Sequence, residues 1–165
     1  MIREEQNVHL SREYAEAIRY MDNANGSLQK SGKDGNNYID KKYVRTACGT
    51  AYNGVLLALD AWFVLKGIPE PPKKQHKSIK YYMSNIAKID KKLVSDMDTV
   101  YDILHLEGYY RGITNIKIIA AGFELAYEII ERIKPEHPVE VKETRAQGAK
   151  RVWDNIMVFA TVMFS

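Results

Sequence analysis

Residue types that often indicate a function are scarce in this 165-residue sequence. Its single cysteine, Cys48, cannot form an internal disulfide and offers no zinc-ligand cluster, which fits a reducing cytosol. Four histidines are present, and none is paired with a second histidine or a cysteine at metal-ligand spacing. We therefore predict no metal site and no cofactor.

Other common signals are absent as well. The sequence contains no glycine-rich phosphate loop, no Walker pattern and no GxSxG turn. A formal net charge of +3 is too small to indicate a nucleic-acid-binding protein by itself. The first residues, MIREEQNVHLSREY, lack the apolar core of a signal peptide, and no apolar run reaches the roughly 18 residues of a membrane span. We therefore expect a cytoplasmic protein without a membrane segment.

The stretch from Tyr43 to Gly67, YVRTACGTAYNGVLLALDAWFVLKG, is the most informative part of the sequence. It contains no proline, and its apolar residues recur at helical spacing until they cover most of the circumference. A helix that is apolar on nearly every side has to be covered on several sides. We predict a central helix from about Tyr38 to Gly67, with Gly67 just beyond its C-terminus.

Weaker apolar repeats predict helices on both sides of the central one. A first helix is expected over residues 11–30, with Ser11 as its N-cap, after a flexible N-terminus of residues 1–10. The segment SGKDGNN, residues 31–37, has the composition of a loop, and no segment shows a strand pattern. After the proline-rich IPEPP, a third helix is expected over residues 75–88.

The second half of the chain predicts further helices. A fourth helix is expected over residues 90–107, joined to the third by a kink or a short turn near Ile89. It should end at GYYRG, residues 108–112, a break flanked by glycines. Thr114 is expected to cap a fifth helix that runs to about Ile133 before two prolines.

The last part of the chain is strongly apolar. A sixth helix is expected from about Lys142, and the segment IMVFATVMFS leaves it little polar surface. Residues 135–165 should therefore pack on the bundle or bury this surface against a second subunit. Together the repeats predict an all-α fold, a five- or six-helix, mainly antiparallel up-and-down bundle over residues 11–134.

A carboxylate, Asp60, stands inside the apolar run VLLALDAWFVL. An unpartnered buried carboxylate is costly, so we predict that Asp60 pairs with Arg111 of the GYYRG break. Arg45 and Asn53 precede it at close to seven-residue spacing and are predicted to form a buried polar seam with it. Such a seam either fixes the bundle or faces a ligand.

The segment from Lys73 to Lys92 contains seven lysines and a single acidic residue. Two tyrosines are interleaved with them, and cations can hold phosphates while rings stack on bases. The same pattern is also typical of a solvated helix face. We predict a ligand or partner surface made by this segment and the GYYRG break, with the candidate residues Lys77, Lys80, Tyr81, Tyr82, Tyr109, Tyr110 and Arg111.

Two stretches resemble a known superfamily. TACGTAYNGVLLALDAWFVLKGIPEPPKKQHKS and the later LHLEGYYRG are similar in pattern and order to HEPN domains (higher eukaryotes and prokaryotes nucleotide-binding domains), in particular to their non-catalytic branch. The resemblance covers about residues 11–134 and extends to small bacterial families of such bundles. It implies an often dimeric bundle associated with nucleotides, RNA or a partner nucleotidyltransferase.

The nuclease members of this superfamily carry an arginine followed, after four to six residues, by a histidine near the start of the last helix. The matching place here reads LHLEGYYRGITN and contains no such pair in that order. Two matches occur elsewhere, Arg3 with His9 and Arg132 with His137, and the second straddles Pro135. A metal-independent ribonuclease using Arg132 and His137 is therefore one alternative to a binding function.

These observations favour a non-enzymatic function. We expect an HEPN-like homodimer that binds a partner protein, a nucleotide or RNA. A purely structural, homo-oligomerising module is a further alternative.

Overall fold

The computed structural model describes residues 2–136, with side chains from residue 4 onwards. Helices dominate, and a short hairpin is the only sheet in this part of the chain, which confirms the predicted all-α bundle. The elements are α1 (Ile2–Gln29), β1 (Lys33–Asp34), β2 (Asn37–Tyr38), α2 (Lys41–Leu65), α3 (Ile79–Ile89), α4 (Lys91–Val100), a π-helical segment (Tyr101–Arg111) that continues α4, and α5 (Ile116–Arg132).

Helix α2 occupies the centre, as predicted. It packs against α1, the π-helical segment and α5, and twelve of its residues are buried. Gly54 of α2 lies against Ala17 and Tyr20 of α1, so the two helices approach closely where α2 has no side chain. The helix begins later than predicted because Asp40 caps it by accepting a hydrogen bond from the Lys42 amide. Gly67 follows its C-terminus with φ +68°, as expected.

Among the described residues, α2 is also the one helix that is long and apolar enough to cross a membrane by length and composition. Half of the relevant 18-residue window is buried inside the bundle. Core helices of folded domains have the same composition, because they are covered on several sides.

Two predictions about the first forty residues are wrong. Helix α1 begins at Ile2, and Ser11 lies buried within it instead of capping it. Residues 31–37 are not a plain loop, since β1 and β2 pair through a two-residue turn with Gly35 at φ +54°. Strands of two residues are too short to show an alternating pattern in the sequence.

The boundaries of the later helices also differ from the predictions. Asp90, in an extended conformation, ends α3 and caps α4, so the join is a short turn. The helix then continues through the predicted GYYRG break as a π-helix and ends at Gly112, which has φ +67°. Asn115, not Thr114, caps α5 by accepting a hydrogen bond from the Ile118 amide.

One buried carboxylate oxygen lies on α1. Asp22 Oδ1 is buried and has no hydrogen-bond partner among the described residues, and burial raises the pKa of this carboxyl above its ordinary value of 3.8. The Asp22 carboxyl therefore loses its proton at a lower pH in the unfolded chain than in the folded protein. As a consequence, the free energy of unfolding falls as the pH rises from the ordinary pKa through the raised one. We expect Asp22→Asn to remove this fall and to raise the melting temperature at pH 7, because the amide carries no charge that has to be buried.

Thermal melts of both proteins between pH 3.5 and pH 7.5 test this expectation. The exposed Asp98 on α4 provides a matched control, because Asp98→Asn changes the charge equally without burial. Equal melting curves for the wild type and Asp22→Asn across this range would contradict the expectation.

Residues 137–165 lie outside the described residues. The predictions of a sixth helix from about Lys142, and of its packing on the bundle or against a second subunit, concern this part of the chain.

Candidate functional site

The predicted ligand surface separates into two parts in the structure. Tyr82 packs on Phe63 near the end of α2, whereas Tyr109 packs on Gly49 in its first half. Fourteen residues of helix correspond to about 21 Å along the axis of α2. The two tyrosine pairs therefore do not form one surface.

The part formed by Lys77 to Tyr82 is occupied by internal contacts. Asp60 accepts a hydrogen bond from the Tyr82 hydroxyl at 3.1 Å and pairs with the Lys77 ammonium at 3.1 Å. Tyr82 is buried, and Tyr81 donates a hydrogen bond to the Pro69 carbonyl. These contacts attach the chain before α3 to α2, and Lys80 alone of this set is exposed.

The predicted pair of Asp60 and Arg111 is wrong. The partner of Asp60 is Lys77, while Arg111 pairs with Glu107 one turn earlier in the π-helical segment. The buried seam is wrong too, because Arg45 and Asn53 are exposed and Asp60 is half-buried. The reason is that these residues lie outside the core of α2, where Asp60 meets Tyr82 and Arg45 lies against Gly112 at the edges of the helix contacts. Asn53 and Asp60 line a shallow groove of about 220 Å³ with Tyr20 of α1.

A row of aromatic rings follows the π-helical segment. The rings of Tyr101 and His105 stack at 5.1 Å and 27°, and those of His105 and Tyr109 at 6.0 Å and 19°. Tyr110 meets His105 edge-on at 4.9 Å, and Tyr52 of α2 meets it at 4.6 Å. A π-helix has i→i+5 hydrogen bonds, and its wider turn places residues four or five apart on one face. The ring row is therefore a consequence of the π-helical backbone.

Helix α2 provides the base on which the outer rings rest. A Cβ on Gly108 would lie 2.4 Å from Cys48 Sγ, and a Cβ on Gly49 would lie 2.9 Å from the Tyr109 ring. The two glycines therefore allow the helices to approach closely and leave room for the ring. Tyr109 and Tyr110 nevertheless remain 45% and 60% exposed.

Two arginines flank these exposed rings. The Arg45 side chain lies against Gly112 and donates a hydrogen bond to the Arg111 carbonyl at 3.4 Å. Arg111 pairs with Glu107, and both arginines are exposed. Within the described part of the chain, no carboxylate pairs with Arg45. We call Arg45, His105, Tyr109, Tyr110 and Arg111 the Tyr–Arg surface.

The chemistry of this surface is that of recognition. Burial lowers the pKa of His105, so the imidazole is neutral at pH 7 and can accept one hydrogen bond and donate another. Exposed rings can stack on a base, and a guanidinium can hold a phosphate. Among the described residues, no three histidine, cysteine or carboxylate side chains are arranged to hold a metal ion.

Sequence reasoning missed His105 and the position of Arg45. The spacing of Tyr101, His105 and Tyr109 at intervals of four residues is a visible signal of one helix face. This spacing was not used in the prediction because a break was expected between His105 and the two tyrosines Tyr109 and Tyr110. Arg45 is brought to this surface by the antiparallel packing of α2 and the π-helical segment, which no local pattern indicates.

The alternative pair of Arg132 and His137 is only partly described. Arg132, in the last turn of α5, pairs with Asp90 at 2.5 Å and with Asp96 at 3.6 Å. Through these two ion pairs Arg132 joins α5 to α4. His137 lies outside the described residues.

Comparison with known proteins gives a matching family and a related solved structure. Residues 12–135 match the sequence profile described as domain of unknown function DUF5618. The chain is also 38% identical to a protein of unknown function from Dyadobacter fermentans whose structure is solved. That similarity covers 74% of this chain and 94% of the other, with a TM-score of 0.67. No curated protein matches the sequence.

Proposed function

The chain belongs to the DUF5618 family, and we propose that it is a non-enzymatic, HEPN-like helical bundle that binds a nucleotide unit, free or within RNA. One observation carries this proposal: two exposed tyrosine rings and two exposed arginines lie together where the end of the π-helical segment packs against α2. Exposed rings on a surface lose water when a base stacks on them, and the flanking guanidiniums match a phosphate.

The proposal predicts a specific loss of affinity. Tyr109→Ala should weaken the binding of nucleoside monophosphates and short single-stranded RNA about 10- to 100-fold, because one base–ring stack contributes about 1–3 kcal/mol. Arg111→Ala should also weaken the binding of these ligands when the salt concentration is low. Titration calorimetry with monophosphates and labelled RNA measures both effects.

The other half of the predicted surface provides the controls. Lys80→Ala and Tyr81→Ala alter a lysine and a tyrosine near α3 and should leave the affinity unchanged. If these variants lose binding while Tyr109→Ala keeps it, the ligand lies on the Lys77–Tyr82 side. If no nucleotide or RNA binds to the wild type, the proposal fails.

Self-association or a protein partner is the second candidate, in line with the expected homodimer. Val64 and Leu65, at the end of α2, are 51% and 42% exposed. Exposed neighbouring apolar side chains favour a protein interface. Sedimentation equilibrium of the wild type and of Val64→Glu tests it, because the acidic variant should shift a dimer to monomer, and an unchanged mass would exclude this patch.

A further inference from the structure

A second cluster of positive charge, besides the lysines of residues 73–92, lies at the end of the bundle that carries the hairpin. There the hairpin is attached to the start of α5, with the Tyr38 amide donating to the Thr114 carbonyl at 2.8 Å and the Ile116 amide to the Asn36 carbonyl at 2.9 Å. We call residues 30–45 and 107–118 the hairpin end. It contains three acidic residues and seven exposed basic residues, which are Lys30, Lys33, Lys41, Lys42, Arg45, Arg111 and Lys117.

This end therefore carries a formal charge of +4, which is more than the +3 of the whole chain. Two of its three acids are engaged in local contacts. Asp40 caps α2 through the Lys42 amide, and Glu107 pairs with Arg111. The remaining cations give a positive field over a compact area, and such a field attracts polyanions.

The cations continue directly from the Tyr–Arg surface. Gly49, on which Tyr109 rests, is followed one turn towards the start of α2 by Arg45, and about one turn further by the adjacent Lys42 and Lys41. The eight residues from Gly49 to Lys41 correspond to about 12 Å along the axis. No carboxylate pairs with Lys41, Lys42 or Arg45 among the described residues. Lys42 lies over the Tyr43 ring, with its ammonium 4.7 Å from the ring centroid. The rings and these cations, which have no carboxylate partner in the described part of the chain, thus form one continuous path.

We propose that the ligand of this path is a single-stranded polynucleotide instead of a free mononucleotide, an inference that rests on the proposed function. One nucleotide unit occupies the rings and the arginines, and the phosphates that follow it lie on Lys42 and Lys41. A chain of several nucleotides gains these contacts, whereas a monophosphate cannot reach them.

The test compares ligand length and charge. Fluorescence anisotropy of labelled oligo-uridylates of 2, 4, 8 and 12 nucleotides gives the affinity at several KCl concentrations, and uridine monophosphate is measured by calorimetry. We expect the affinity to rise with length. In the double variant Lys41→Gln, Lys42→Gln, the slope of log affinity against log salt should fall by about 1.4, from about 0.7 for each phosphate contact. Binding of the monophosphate should not change.

A matched control lies far from this end. Lys73 and Lys74 are also adjacent and exposed, so Lys73→Gln, Lys74→Gln removes the same net charge elsewhere. This variant should keep the wild-type salt slope. An equal loss in both double variants would show that only the net charge matters, and an affinity independent of length would overturn the proposal.

Further experiments distinguish a failure of the proposed function from a failure of the polynucleotide inference, and they test other classes of ligand. Loss of all binding, to monophosphate and oligomers alike, refutes the proposed function itself, while monophosphate binding without any gain from length refutes only the polynucleotide. DNA of the same sequence shows whether the ribose is read, and preferred binding to a duplex would overturn the inference.

Ile39 and Ile118 are 65% and 44% exposed at this end. Co-sedimentation with phosphatidylserine vesicles that exceeded the binding of 12-mer RNA would therefore assign the charge to a lipid surface.

Discussion

Replacing Ile119 by alanine should lower the free energy of unfolding by about 2–5 kcal/mol, the usual cost of truncating a buried isoleucine. Ile119 lies in the first turns of α5 with no solvent exposure and belongs to the main core. The alanine variant leaves a cavity that the surrounding helices fill only in part. Since a loss of 1 kcal/mol lowers the melting temperature of a domain of this size by about 2–4 °C, the shift is easily measured.

The preceding residue is a nearly ideal control. Ile118 has the same side chain on the same helix but is 44% exposed, because a step of one residue turns it away from the core. Ile118→Ala should change stability by no more than about 0.5 kcal/mol. Urea unfolding of both variants gives the two values, and similar losses would mean that α5 does not pack with the orientation described here.

This pair also shows why much of the fold follows from the sequence. Ile119, Phe123, Tyr127 and Ile130 recur at helical spacing in the sequence, and all four residues are buried on α5. Burial along a helix depends on a period that the sequence displays directly. The same reasoning identified α2 as the central helix.

Caps and short strands were harder to predict, because they depend on which of several neighbouring polar residues is used. Asn115 caps α5 where Thr114 was expected, Asp40 and Asp90 cap α2 and α4 without having been predicted, and Ser11 lies inside α1. Asp and Asn are as suitable as Ser and Thr at this position, so composition does not choose between them. The hairpin is decided by its pairing with the start of α5, through Asn37 and Asn115, which are distant in sequence.

The sequence indicated only part of the candidate site, namely Tyr109, Tyr110 and Arg111, and did not indicate that Arg45 and His105 join them. Tyr109, Tyr110 and Arg111 were identified because glycines and aromatic residues cluster there. Asp60 was assigned to Arg111 because a buried carboxylate needs a partner, yet Lys77 is held near Asp60 by the chain that leads into α3. Which charged side chains come into contact depends on their positions along the axis of α2. Tyr82 and Tyr109 contact α2 at positions that are far apart on this axis.

The second large effect concerns the contact between α2 and the π-helical segment. Gly108→Ala should destabilise the protein by about 1–3 kcal/mol, because the added Cβ would lie 2.4 Å from Cys48 Sγ and 2.7 Å from Cys48 Cβ. The helix propensity gained by replacing glycine with alanine, about 1 kcal/mol, offsets only part of this cost. The segment has to move away from α2, and the adjacent Tyr109 moves with it.

Two variants identify the origin of this loss. Gly26 lies in α1 with nothing within 4 Å of an added Cβ, so Gly26→Ala should stabilise the protein by about 0.5–1 kcal/mol. Cys48→Ala removes the sulfur, the atom nearest to the added Cβ, so Gly108→Ala should cost less in this background than in the wild type, and a double-mutant cycle measures the difference. Equal costs in both backgrounds would mean that the contact with the Cys48 sulfur is not the origin of the loss. The cost would then come from the Cβ of residue 48, which lies 2.7 Å from the added Cβ and is kept in alanine, or from the π-helical backbone itself.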